Sequence, residues 1–175
     1  HILGEKGCDV SIVPLGDLAS HADIVLEATP AAVFDEVAVP VIERGGRLIV
    51  LSAGALLERG GLISRASETG ARIIVPSGAI LGLDALRAAA EGMIESVSIV
   101  TRKPPQSLSG APYLVANRID VADLAGPIKI FSGPVREAVR HFPANVNVAA
   151  AVSLAGIGPE RTTIEVWADP GIERN

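Results

Sequence analysis

Three short apolar runs set the terms on which this chain can fold. They are "DIVLEA" (23–28), "RLIVLSA" (47–53) and "ARIIV" (71–75). Each is continuous where a half-exposed strand would alternate, the pattern of strands that a parallel sheet buries on both faces. Each is followed by small or turn-forming residues: Thr29-Pro30, Ser52-Ala53-Gly54 and Pro76-Ser77-Gly78-Ala79. Helical spans separate them. Thr29 reads as the N-cap and Pro30 as the first residue of "AAVFDEVAVPVIERG", with Pro40 as a kink or early break and Gly45-Gly46 as the stop. "LISRASETG" (62–70) ends on glycine, "LDALRAAAEGM" (83–93) is a further helix, and "DVSIV" (9–13) is a further short strand. Strand and helix alternating at this spacing predict right-handed βαβ units on a parallel sheet, an α/β fold. In such sheets ligands bind in the crevice beyond the carboxyl ends of the strands, where the small residues stand.

After residue 93 the texture changes. "ESVSIVTRKPP" (95–105) is a longer strand with a Pro-Pro stop, and residues 106–126 read as irregular. "IKIFSG" (128–133) is a strand, "PVREAVRHF" (134–142) and "NVNVAAAVSLAG" (145–156) are helices parted by Pro143, and "RTTIEVWADP" (161–170) alternates as a half-exposed strand. The predicted second unit is α+β, with a sheet made by 95–103, 128–133 and 161–168.

Composition narrows the function. Aromatic residues are only 3% of the 175 and apolar residues 49%, so Val, Ile, Leu and Ala must build the core. A net charge of −5 without a basic cluster argues against nucleic acid as the partner. The apolar runs are too short to span a bilayer, and a single cysteine, Cys8, permits no internal disulfide, so the expectation is a cytoplasmic protein with no membrane partner.

Catalytic signals are sparse. His1, His21 and His141 are the only histidines, and each sits in a polar setting typical of surface histidines. No spacing of His, Cys or carboxylates suggests a metal. The G-x-G-x-x-G phosphate turn is missing; "AGIG" (155–158) follows a helix and reads as its stop. Lys103 could hold an anionic group, although a lysine before Pro-Pro is commonly a solvated strand end.

Longer blocks are more specific. "VPSGAILGLDALRAA", "VSIVTRKPP" and "FPANVNVAAAVSLAGIGPERTTIEVWADP" closely resemble three blocks of the L-aspartate dehydrogenase family. "VREAVRHFPANVNVAA" is the most distinctive, and "DIVLEATPAAV" and "LIVLSAGAL" resemble the latter Rossmann half of that family. The resemblance runs over nearly the whole chain in order. It implies the latter part of a Rossmann-type parallel sheet followed by an α+β substrate and dimerisation unit, with residues 1–78 dinucleotide-binding and 79–175 substrate-binding. It further implies an internal fragment, inactive alone, that lacks the phosphate turn and the family's catalytic histidine, which would fall two positions beyond Asn175. No catalytic residue is then expected inside the chain.

The implied reaction is oxidative deamination of L-aspartate to oxaloacetate and ammonia through iminoaspartate, with NAD or NADP, feeding NAD biosynthesis. A homodimer is implied as well. Ala79 and Asn147 match cofactor-contacting positions, with Asn145 second to Asn147. Thr29, Ser52 and Gly78 offer the small surfaces and backbone groups a nicotinamide needs. Asn145 has a competing role as a helix N-cap, and Gly78 and Gly82 one in close helix–sheet packing. Arg102 and Lys103 are candidates for the two substrate carboxylates. Alternatives are another two-domain dehydrogenase or reductase, of the dihydrodipicolinate reductase or homoserine dehydrogenase type, and a non-catalytic dimerising unit.

Overall fold

The computed structural model describes residues 10–173. A helical turn at Leu15–Asp17 runs into α1 (Leu18–His21), followed by β1 (Ile24–Glu27), α2 (Phe34–Glu43), β2 (Arg47–Val50), α3 (Ala53–Leu57), α4 (Gly60–Thr69), β3 (Arg72–Ile74) and α5 (Leu83–Ala90). The second part contains β4 (Val97–Lys103), α6 (Pro105–Leu108), α7 (Pro112–Asn117), β5 (Ile128–Pro134), α8 (Val135–His141), α9 (Asn147–Ala155) and β6 (Thr162–Ala168).

The first sheet has the order β1-β2-β3 and both pairs are parallel, as the alternating runs predict. Strands laid down in sequence with right-handed crossovers put their helices on one face. Val25, Leu48 and Val50 therefore pack with Phe34, Val37, Ile42 and Leu56 in one buried cluster. Among the described residues helices cover this face alone, where the apolar runs predict burial on both. Ile24, Leu26 and Ile74 point the other way and are exposed among the described residues.

Local chemistry accounts for several boundaries. Helix α2 ends in a Schellman arrangement: Gly45 takes φ +69°, its N–H bonds Ile42 O (3.0 Å), and Gly46 N–H bonds Val41 O (2.9 Å). Gly70, at φ +75°, ends α4 in the same left-handed conformation. The start of α2 differs from expectation. Thr29 is not its cap; Pro30 O instead accepts from Val33 N–H in a turn, and the helix begins at Phe34. Pro40 lies inside α2 without ending it. Residues 10–13 of the expected first strand form no strand, and residue 9 lies outside the described residues. The stretch 106–126, expected to be irregular, contains most of α6 and all of α7, each with a proline in its first turn, where the missing N–H costs nothing.

The second sheet has the order β4-β6-β5, with β4 parallel and β5 antiparallel to the central β6. These are the three expected strands. A register shift between Lys129 and Phe131 turns both Ile130 and Phe131 inward. Ile164, Val166 and Ala168 of β6 face a core that includes Val135, Phe142 and Ala150, and that core also takes in Ala53 and Leu57 of α3. The two units thus share apolar packing. Helix α9 is the hinge of that packing: its buried face is Ala149, Ala150, Ala151, Val152, Ser153 and Ala155, small residues that let it lie against α3, α5 and α8 together.

Candidate functional site

A crevice of about 510 Å³ opens where β1 and β2 end and the second unit begins. Its floor comes from Thr29-Pro30-Ala31 and Ser52, one wall from Gly54, Ala55, Glu58 and Arg59, and the opposite wall from Val139, Arg140, Pro143, Ala144 and Asn147.

The floor is organised by Glu27, the one charged residue inside the first apolar run, which is fully buried. Its Oε1 accepts from Thr29 N–H (2.6 Å) and Thr29 Oγ1 (2.8 Å), and its Oε2 accepts from Ser52 N–H (3.2 Å). Ser52 Oγ donates to Thr29 O (2.9 Å), closing a ring of bonds between the two strand-end loops. Thr29 and Ser52, both expected to bind cofactor, line the crevice, yet both hydroxyls are already committed inside the protein. What they offer a ligand is backbone and small volume.

Asn147, the first residue of α9, reaches across from the second unit. Its Oδ1 accepts from Gly54 N–H (3.1 Å), and its Nδ2 has no acceptor among the described residues. The fit at Gly54 is close: a Cβ on it would stand 3.3 Å from Asn147 Oδ1, which would have to give by a few tenths of an ångström, and in ordinary contact with Val139 Cγ1 at 3.5 Å. On its other side Asn147 borders a small pocket of about 60 Å³ with Pro76, Ser77 and Gly78. Gly78 thus comes next to Asn147, in a left-handed conformation (φ +61°), whereas Ala79 is exposed and lines neither cavity.

Asn145 does not cap α9, whose N-cap is Val146. Its Nδ2 donates to Ser107 O (3.2 Å), tying the segment after β4 to the start of the Asn147 helix. Arg102 and Lys103 leave opposite faces of β4. Arg102 is on the outer face, bonded to Asp169 Oδ2 (3.2 Å) with its guanidinium 5.2 Å from the Trp167 ring centre. Lys103 is half-buried on the inner face, and desolvation lowers its pKa below the ordinary lysine value.

Charges at the crevice rim are paired. Arg59 bonds Asp35 Oδ1 (2.5 Å), Ala55 O (3.1 Å) and Ala31 O (3.0 Å) and lies over Phe34. Arg140 Nε bonds Glu58 Oε2 (3.0 Å), and Arg136 Nη1 bonds Leu57 O (2.6 Å), so three arginines hold α3 to its neighbours. Neither described histidine lines the crevice. His21 Nδ1 is 2.9 Å from Asp17 O, and the His141 ring packs on Tyr113 (4.9 Å) and Phe131 (5.6 Å). Among the described residues no group of three His, Cys, Asp or Glu could hold a metal, and no helix is long and apolar enough to cross a membrane.

Glu27 and the rim pair Glu58–Arg140 are not among the sequence-predicted site residues. Glu27 did carry a signal, a lone carboxylate in a buried run, and such a group must find donors. Gly54 was legible only as another small residue.

A parallel sheet whose strand ends face helices of an α+β unit defines the class: a Rossmann-type α/β unit joined to an α+β unit. Comparison with known proteins sharpens this. The family profile described as "Homoserine dehydrogenase, NAD binding domain" matches residues 3–76, and the one described as "Aspartate dehydrogenase, C-terminal" matches residues 84–175. The chain is 54% identical over 166 residues to L-aspartate dehydrogenase 3 of Bordetella bronchiseptica, covering 95% of this chain and 61% of that protein. It is 48% identical over 164 residues to L-aspartate dehydrogenase of Bradyrhizobium diazoefficiens, covering 94% and 59%. The crystal structure of aspartate dehydrogenase from Thermotoga maritima superposes with a TM-score of 0.71 at 30% identity, over 95% of this chain and 64% of that one. The chain belongs to the aspartate dehydrogenase family. It spans about three fifths of the length of these two curated relatives.

Proposed function

We propose that the protein carrying this chain oxidatively deaminates L-aspartate to oxaloacetate and ammonia with NAD or NADP. In this reading residues 1–78 hold part of the dinucleotide and residues 79–175 present the substrate. One observation carries it: in a chain of this family, the crevice at the strand ends is closed from the second unit by an asparagine whose amide is half engaged. Gly54 N–H fixes Asn147 Oδ1 and so orients the side chain, leaving Nδ2 as a donor for a ligand carbonyl. The crevice volume falls within the usual range for small-molecule sites, about 300–1,000 Å³. These residues therefore fit a nicotinamide and its carboxamide. A bound nicotinamide would supply the acceptor for the two electrons of the substrate Cα–H bond.

Everything else falls to the chain. Thr29-Pro30 and Ser52 give a flat floor that adds no competing side-chain donor. Lys103 is the better of the two carboxylate-binding candidates, because Arg102 already has Asp169 and Trp167 as partners. Lys103 lines neither cavity but directly precedes, in sequence, the segment that Asn145 ties to the Asn147 helix, and a substrate carboxylate would offset its desolvation. Ala79 remains a candidate on the strength of the family resemblance alone. The proton-abstracting base, a histidine in the family reading, is assigned outside residues 10–173, since neither His21 nor His141 reaches the crevice.

A homodimer suits the half-exposed outer face of the second sheet, and a cytoplasmic site suits a chain with one cysteine. The test is an absorbance assay of the full-length protein with aspartate and each oxidised dinucleotide. The expected result is aspartate-dependent formation of NADH or NADPH. Turnover confined to another amino acid would remove aspartate from the account, and failure to bind either dinucleotide would remove the nicotinamide site.

A further inference from the structure

We propose that the carboxylate of Glu27 gives the crevice its preference for the oxidised over the reduced nicotinamide. The inference rests on the reading of the crevice as a nicotinamide site and adds to it the source of a charge preference.

Three observations support it. First, both oxygens of Glu27 accept from donors that cannot reverse roles: the backbone N–H groups of Thr29 and Ser52. Thr29 Oγ1, a hydroxyl able to donate or accept, is the third partner at 2.8 Å. One fixed N–H donor on each oxygen favours the ionised carboxylate, which accepts at both. Second, no cation among the described residues neutralises it. Among the described residues no Lys, Arg or His lies within ion-pair distance of Glu27, and the crevice's own guanidiniums, Arg59 and Arg140, are paired with Asp35 and Glu58. The dipoles around Glu27 hold the charge in place but leave its monopole intact. Third, the two residues that donate to it, Thr29 and Ser52, are the floor of the crevice. The negative charge therefore lies directly beneath the surface a ligand would rest on, shielded from water.

Oxidised nicotinamide carries a positive charge on its ring, and the reduced ring is neutral. The two forms otherwise present the same phosphates, riboses and adenine. An uncompensated carboxylate under the floor acts on that one difference, and the low dielectric of a buried site strengthens it. An enzyme that begins its cycle with the oxidised form and must release the reduced one gains at both ends. A purely structural Glu27, holding two loops together, would affect both forms alike.

The experiment measures dissociation constants of both forms in the full-length protein, by calorimetry for the oxidised dinucleotide and fluorescence for the reduced one. For Glu27→Gln, the ratio of reduced to oxidised constants should fall about tenfold, the size expected when one unit charge ceases to act on another through protein. Glu27→Asp, which keeps the charge, should hold the ratio within about threefold of the original even if both constants weaken. A ratio unchanged in Glu27→Gln would reduce Glu27 to a loop tie and overturn the proposal. Should that variant not fold, the unmodified protein decides with benzamide adenine dinucleotide, a flat neutral isostere of the oxidised form. It should bind about tenfold more weakly than the oxidised cofactor, and equal affinity would overturn the proposal. Absence of binding by both natural forms would instead overturn the nicotinamide reading and this inference with it.

Discussion

Glu27 and Glu165 are both strand glutamates with several hydrogen-bond donors, yet they sit in opposite worlds. Glu27 is fully buried at the end of β1, bonded among the described residues by Thr29 and Ser52. Glu165 is on the outer face of the second sheet, where it accepts from Lys129 Nζ (2.9 Å) and Trp167 Nε1 (2.8 Å). There Lys129 and Arg102 also flank the Trp167 ring, at 5.6 and 5.2 Å. On paper the outer cluster has more partners. The difference lies in what water can replace. Around Glu165 solvent and salt screen every pair, so the cluster organises a surface without holding the fold. Around Glu27 no water can substitute, and three bonds decide whether two loops have a defined shape. Polar chemistry at the crevice is thus an internal framework, while polar chemistry on the outer face is a covering.

The largest effect should come from removing the framework. Glu27→Ala would leave two N–H groups and a hydroxyl without a partner, and we expect a loss of about 2–4 kcal/mol in urea unfolding. Glu165→Ala should leave the unfolding midpoint nearly unchanged at moderate salt. Equal losses at the two sites would break the contrast between them. Next in size is the bond that joins the units. In the full-length protein Asn147→Ala should weaken nicotinamide binding by about 1–3 kcal/mol, read by titration, because the ligand carbonyl and Gly54 N–H both lose their partner. Unchanged affinity with an intact fold would assign Asn147 to packing alone.

The smallest effect concerns Lys103 and carries a sign. Burial lowers its pKa below the ordinary 10.5, so the folded chain releases that proton before the unfolded chain does. The resulting penalty is complete at neutral pH, falls as pH rises through the folded-state value, and is gone above 10.5. Lys103→Met should therefore stabilise the protein at neutral pH by less than about 0.5 kcal/mol, and the gain should vanish at high pH. In the same variant aspartate binding should weaken. A destabilised Lys103→Met would mean that the ammonium has a structural partner.

Much of this was legible in the sequence because apolar runs, glycine stops and proline positions act locally. Both sheets, the helices 62–70 and 83–93, and the break at Pro143 follow from such signals. The misreadings were tertiary. Burial on one face of the first sheet depends on where crossovers place the helices, which no single run records. Thr29 looks like an N-cap, but Glu27 competes for its hydroxyl and wins, so the helix starts at Phe34. Within the crevice, Asn147 could be chosen from its motif. Its contact with Gly54, 93 positions away, could not. Arg102 and Lys103 are adjacent in sequence and part only because strand side chains alternate.

The most direct test of the account is amide hydrogen exchange of the full-length protein with and without oxidised dinucleotide. The account predicts slower exchange in segments 27–31 and 51–58 and at the start of the Asn147 helix, with no change along 162–168. Protection along the outer strand instead, or binding without protection around Thr29, Ser52 and Gly54, would contradict it.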